Sequence, residues 1–258
     1  KFMRKGVRPD VLVMTATPIP RTLALTLYGE LDVSSLDELP PGRRPIITKH
    51  VDGDRVELVY SFLKQQVGRG RQAYVVYPVV DESETLAVKA ATKMYRHLSE
   101  EVFPGIRVGL LHGRLAPDKK EAVMDGFKRG EIKILVSTTV IEVGVDVANA
   151  TVMVIEQAER FGLAQLHQLR GRVGRGAEQS YCVLVTEKLS PVAQERIRTL
   201  VESTDGFYIA EMDLKLRGPG EFFGTKQSGL PALRIANLIR DEELLRLARH
   251  EAAAFVAS

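Results

Sequence analysis

"IKILVSTT" (132–139) gathers Ile132, Ile134, Leu135 and Val136 into one short run and closes it with three hydroxyls. The run is too short for a stable helix and is rich in residues that suit a pleated strand. Its near-continuous apolar character, rather than strict alternation, is that of a strand covered on both faces. The pattern recurs in "AYVVYPVV" (73–80), "TVMVIE" (151–156) and "YCVLVTE" (181–187), and in the more mixed "VLVMTA" (11–16), "PIITKHV" (45–51) and "RVGLLHG" (107–113). Helical patterns separate most of these runs. "DRVELVYSFLKQQV" (54–67) sets Val56, Val59, Tyr60 and Leu63 at helical spacing, and "TLAVKAATKMYRHLSEEV" (85–102) and "APDKKEAVMDGFKRG" (116–130) follow. Pro117 suits a first helical turn and Gly130 a C-terminal cap. Strand and helix alternate from about 45 to 187. The expected fold is α/β, a mainly parallel sheet flanked by helices.

Composition bounds the rest. The chain has 258 residues, 45% hydrophobic and 27% charged, ordinary for a soluble globular protein. No apolar run reaches the roughly 18 residues that span a bilayer, and no secretory signal opens the chain. It begins at Lys1 and runs at once into a buried-looking strand, so it reads as a piece of a longer protein. One cysteine, Cys182, excludes an internal disulfide framework and a cysteine-cluster metal site. In its apolar run it reads as a small core residue. A formal charge of +3 and a pI near 8.9 allow nucleic-acid binding without establishing it.

The two ends depart from the alternation. Residues 1–30 read as a last strand and a helix, "PRTLALTLYG", of a preceding unit. Beyond 187, "SPVAQERIRTLVES" (190–203) reads as a helix with Ser190 as N-cap and Pro191 at its first position. Its apolar stripe is Val192, Ala193, Ile197, Leu200 and Val201. "GFYIAEMDLKLR" is a second helix, followed by glycine-rich "RGPGEFFGTKQSG" (217–229) and a last helix from about Asp241.

Ligand sites of α/β sheets lie beyond the carboxyl ends of strands, and three stretches stand out. In "TATPIPR", Thr15 and Thr17 could face a phosphate, hold a neighbouring carboxylate, or simply make a proline-stiffened turn. In "STTVIEVGVDVANA", Gly144 and Asp146 could approach a ribose or phosphate, or cap a turn. "HQLRGRVGRG" (167–176) sets Arg170, Arg172 and Arg175 among three glycines. Arginine forks suit phosphate oxygens, and glycine lets backbone approach them closely. No G-x-x-x-x-G-K-[ST] phosphate loop occurs. "LDELPP" (36–41) precedes prolines rather than ending an apolar strand, so it is no magnesium motif. Arginines without a phosphate cradle or metal ligand are what one half of a two-lobed nucleotide hydrolase would carry.

These stretches resemble the C-terminal part of the RecG family, bacterial ATP-dependent DNA translocases of helicase superfamily 2. "TATPIPRTLALTLYGELDVSSLDELPPGRRPI" is similar to motif III and the crossing into the second RecA-like lobe. The block from "LLHGRL" to "RGRVGRG" is similar to motifs IV to VI, and "DGFYIAEMDLKLRGPGEFFGTKQSG" to the translocation motif shared with the coupling factor Mfd.

The resemblance implies residues 1–30 as the end of lobe 1, 31–187 as the second RecA-like lobe, and 188–258 as helical hairpin, loop and last helix. It implies Arg172 and Arg175 as arginine fingers and Gln168 at the phosphates or water, with Gly144 and Asp146 at the nucleotide. Thr138, Thr139, His112, Gly113 and Arg114 would face DNA backbone. Thr15 and Thr17 would couple the two sites, and Arg196, Arg217 and Gln227 would belong to the translocation element. Arg170 receives no catalytic role. The implied ligand is ATP with Mg2+, the metal being held by lobe 1. The implied partners are branched or forked DNA, lobe 1 and a wedge domain. A monomer in the bacterial cytoplasm, associated with the nucleoid, is expected. An Mfd-like translocase and a non-catalytic nucleic-acid-binding module are the alternatives.

Overall fold

The computed structural model describes residues 42–78, 84–138 and 147–217, with a few isolated positions outside these spans. Six strands form one sheet: β1 (Ile47–Asp52), β2 (Gln72–Tyr77), β3 (Val108–Leu111), β4 (Ile134–Thr138), β5 (Ala150–Ile155) and β6 (Tyr181–Thr186). Their order is β1-β6-β5-β2-β4-β3, and every pairing is parallel. Six α-helices are bounded among the described residues: α1 (Val56–Gly68), α2 (Glu84–Arg96), α3 (Pro117–Lys128), α4 (Leu163–Arg170), α5 (Pro191–Glu202) and α6 (Gly206–Arg217). A π-helical stretch, His97–Val102, continues α2.

The continuous apolar runs are explained by helices on both faces. Tyr74, Val76, Leu135, Met153, Ile155, Cys182 and Leu184 look towards Phe127 of α3, Leu163 and Leu166 of α4, Ile197 and Leu200 of α5, and Ile209 of α6. The alternate residues Ala73, Val75, Ile134, Val136, Val152, Val154, Val183 and Val185 meet Val59, Tyr60 and Leu63 of α1, with Leu98 and Phe103. Alternation is present, but both sets are apolar because both faces are covered. Burying a side chain such as Leu166 contributes about 1.5–3 kcal/mol.

Local signals behave as chemistry dictates. Pro117 opens α3, and Gly130 takes φ +73 just past its end, where glycine avoids the left-handed penalty. The Ser190 hydroxyl caps α5 by accepting from the Ala193 amide at 3.2 Å. The stripe of α5 differs from the expected one: Ala193, Ile197 and Leu200 are buried, but Val192 and Val201 are exposed. Thr199 goes inside instead, because its hydroxyl is satisfied by the Glu195 carbonyl at 2.8 Å. Cys182 is fully buried, and burial pushes its thiol up to about 12, so it is a core residue.

A parallel sheet has two chemically distinct ends. Chain leaving the carboxyl ends returns through a helix and re-enters at the amino ends. Segments that end a helix and precede a strand therefore collect at the amino end, a strand's length, about 15–20 Å, from the loops that follow strands.

Candidate functional site

The arginine-glycine run ends α4 and precedes β6, so it lies at the amino end of the sheet. The carboxyl-end rule does not hold for it. Leu163, Leu166, Leu169 and Val173 anchor its inner face in the core. Gln168, Arg172 and Arg175 are spaced four and then three apart; Gln168 and Arg175 are exposed and Arg172 is half-buried. No side chain among the described residues pairs with the Arg172 guanidinium. Gly174 takes φ +77, and a Cβ there would sit 2.9 Å from Ile46. At Gly176 an added Cβ would lie 2.7 Å from the Ala148 carbonyl oxygen. That approach sets the arginine-glycine run against the turn at 147–149, which directly follows in sequence the stretch bearing Gly144 and Asp146. Two donor forks and close main chain make this surface fit for polyphosphate.

Arg170 does a different task from its neighbours. It is 3% exposed, and its guanidinium donates to the Leu200 carbonyl at 2.8 Å and the Ser203 carbonyl at 2.7 Å. It also donates to His167 Nδ1 at 3.1 Å. Burial, reinforced by the Arg170 charge, pushes His167 down to about 4, so this imidazole stays neutral and accepts. Arg170 thus bolts the end of α4 to the end of α5. Arg196 bolts the middle of α5 to the turn after β5: it donates to the Phe161 carbonyl at 2.6 Å and the Glu159 carbonyl at 3.3 Å. Asp205 caps α6, accepting from the Phe207 amide at 2.8 Å. The α5–α6 hairpin therefore runs beside α4 between the two ends of the sheet.

The carboxyl end carries the second constellation. Leu111 pairs with Ser137, so the register brings His112 level with Thr138 on the neighbouring strand. Thr138 is buried, His112 half-buried, and Gly113 and Arg114 are exposed. Lys120 pins this loop by donating to the Gly113 carbonyl at 2.6 Å. Thr15, Thr17, Thr139, Gly144, Asp146 and Gln227 lie outside the described residues, as does the side chain of Arg217. Among the described residues, no cluster of three or more His, Cys, Asp or Glu is placed to hold a metal ion.

Sequence reasoning missed a buried acid at this end. Glu156, 8% exposed, closes β5 beside Tyr77. Burial raises its carboxyl to about 7; the Tyr77 hydroxyl opposes this, and the charges of Glu187 and Glu159 add to it. Gln157, next in line, is held at φ +49, left-handed backbone that costs a non-glycine residue energy. The available signal was a charged residue ending an otherwise wholly apolar strand.

The folded carboxyl holds a proton that the unfolded one releases near pH 4.5, so stability is present below that pH and is lost as pH rises through about 7. Glu156→Gln should remove up to about 3 kcal/mol of this loss. Urea unfolding at pH 5 and pH 8 reads it: the variant's advantage should grow with pH, and an equal difference at both would contradict the assignment.

A six-stranded parallel sheet flanked by helices is the fold of the RecA-like C-terminal lobe of superfamily 2 helicases. Residues 54–177 match the helicase conserved C-terminal domain, and residues 203–258 match the C-terminal part of domain 3 of the ATP-dependent DNA helicase RecG. The chain is 58% identical to the ATP-dependent DNA helicase RecG of Synechocystis over 252 residues, 98% of this chain and 30% of that protein. It is 57% identical to the RecG of Thermotoga maritima, covering 97% and 32%, and 52% identical to that of Bacillus subtilis, covering 100% and 38%. A solved structure of RecG bound to a three-way DNA junction aligns with TM-score 0.73 and 55% identity, over 94% of this chain and 31% of that one. The chain belongs to the RecG family and corresponds to its C-terminal portion. It spans about a third of the length of the curated relatives it matches. Among the described residues, no helix is long and apolar enough to cross a membrane.

Proposed function

We propose that this chain is the C-terminal motor part of an ATP-dependent double-stranded DNA translocase that acts on branched DNA, driving branch migration and fork reversal at stalled forks. The observation that carries this reading is the division of one parallel sheet into two ends. Phosphate-seeking arginines stand at the amino end, the His112–Arg114 loop and Thr138 at the carboxyl end, and a bolted hairpin runs between them. Residues 1–30 are read as the end of lobe 1, 31–187 as the second lobe, and 188–258 as the translocation element.

ATP supplies a phosphoryl group on which charge develops during transfer. Arg172 and Arg175 donate to that charge, Gln168 orients the phosphates or the attacking water, and Gly144 and Asp146 take the nucleotide's near side. Magnesium is assigned to the lobe that the relatives carry upstream of the matched region. His112, Gly113, Arg114, Thr138 and Thr139 contact DNA backbone, which makes binding independent of sequence and sensitive to salt. Thr15 and Thr17 link the ATP and DNA sites. Arg196 acts as a strut that couples the hairpin to the lobe, and Arg217 and Gln227 extend that element to the duplex. The protein works as a monomer with its own lobe 1 and wedge domain, in the bacterial cytoplasm at the nucleoid.

ATP turnover with forked DNA tests the proposal. A full-length protein carrying this chain should hydrolyse ATP, and the 258-residue chain alone should show negligible turnover. Robust hydrolysis by the chain alone would overturn the two-lobe account.

A further inference from the structure

Residues 43–47 form a strap laid along the finger loop. Arg43 Nε donates to the Gly174 carbonyl at 2.8 Å, across 131 residues of sequence. Ile46 fills the space where a Gly174 side chain would stand, 2.9 Å from that Cβ position. Gln179 Nε2 donates to the Pro45 carbonyl at 2.8 Å, and the Ile47 amide donates to the Ser180 carbonyl at 3.0 Å. The Gly174 carbonyl belongs to the peptide that leads into Arg175, so the strap grips the peptide that sets the direction of that side chain. The other side of the loop is backed by Ala148 against Gly176. Arg43 is half-buried, whereas its neighbour Arg44 is exposed. One arginine of the pair is thus committed to the loop.

We infer that Arg43 is a positioning residue for the Arg175 finger, tying the start of this lobe to the loop that serves the nucleotide. The inference rests on the finger reading of Arg172 and Arg175. Its physical basis is leverage. A left-handed glycine has a soft backbone, and without an external hold the Gly174 peptide can rotate. A shift of about 1 Å in a catalytic group costs on the order of 10²-fold in rate. The strap supplies the hold through the Arg43 bond to the Gly174 carbonyl and the Ile46 contact.

Arg43→Ala and Arg43→Lys, each alone and with Arg175→Ala, test this in the full-length protein with forked DNA. Arg43→Ala should lower kcat by about 10–100-fold with KM nearly unchanged. It should weaken ADP–aluminium fluoride binding by a similar factor while leaving ADP binding within about two-fold, since the fingers act on the transition state. Lysine keeps the charge and stem but lacks the Nε donor, so Arg43→Lys should recover only part of the loss, with the same selective effect on the fluoride complex in a chain that keeps its strap. In the Arg175→Ala background, Arg43→Ala should cost little more, because it acts through the finger. Equal weakening of ADP and its fluoride complex, or full additivity with Arg175→Ala, would overturn the inference. Normal turnover by Arg175→Ala itself would instead overturn the finger reading beneath it.

Discussion

Arg175→Ala in a full-length protein carrying this chain is expected to lower DNA-stimulated ATP turnover by about three to five orders of magnitude. Nucleotide affinity should stay within a few-fold. The two effects separate because a finger meets charge that develops only during phosphoryl transfer, so its loss raises the barrier more than it weakens the ground state. The geometry suits such a role. Arg175 is exposed on a loop whose glycines are pressed against Ile46 and Ala148, so the guanidinium projects from a fixed main chain. Single-turnover hydrolysis and equilibrium binding of a fluorescent nucleotide measure the pair. A variant with a normal turnover rate, or one whose only defect is weak binding, would refute the assignment.

Arg170→Ala is expected to cost about 3 kcal/mol of stability, because hydrogen bonds to a charged donor are worth about 1.5–3 kcal/mol each and buried acceptors would be left unmet. The Leu200 and Ser203 carbonyls and His167 Nδ1 all lose their donor at once. Lysine does not restore the fork that reaches all three, so Arg170→Lys should recover little. Denaturant unfolding of the chain reads the loss, and amide exchange should localise it to the end of α5. The functional signature is uncoupling: fork unwinding should fall further than ATP turnover, since the bolt joins the finger helix to the hairpin. Wild-type unfolding by Arg170→Ala would remove the bolt from the account.

How much of this was legible in the chain varies with sequence separation. The strands and helices between 45 and 217 were, because a helix-covered parallel sheet writes itself as short apolar runs separated by amphipathic stretches; the strand and helix expected within 1–30 and most of the last helix from Asp241 lie outside the described residues. The arginine-glycine run stood out by residue type, and Arg170, set apart from Arg172 and Arg175 in the sequence reading, is the one whose side chain is buried. Its place between a helix from Leu163 and the strand at 181 was legible too, and only the general rule that ligand sites lie beyond carboxyl ends fails to describe it. The segment follows a helix rather than a strand, and in a parallel sheet that places it at the amino end. Contacts made across the fold left no local trace. Arg170 reaches carbonyls 30 and 33 residues away, and Arg43 one 131 residues away; all three acceptors are main-chain carbonyls. The stripe of α5 was misdrawn at Val192, Val201 and Thr199 because hydrophobicity alone does not say which side a neighbouring helix occupies, and a threonine that bonds its own helix can be buried at low cost. Glu156 was passed over because a single acid after an apolar strand resembles the first residue of any loop.

The central claim is that nucleotide and DNA occupy opposite ends of this sheet. Photo-crosslinking with an azido-ATP analogue in the full-length protein, followed by mapping of the labelled peptide, tests it most directly. The account predicts label in the finger run at 172–176 or in the adjoining 144–148 stretch. Label concentrated at His112–Arg114 or Thr138, at the other end of the strands, would contradict it.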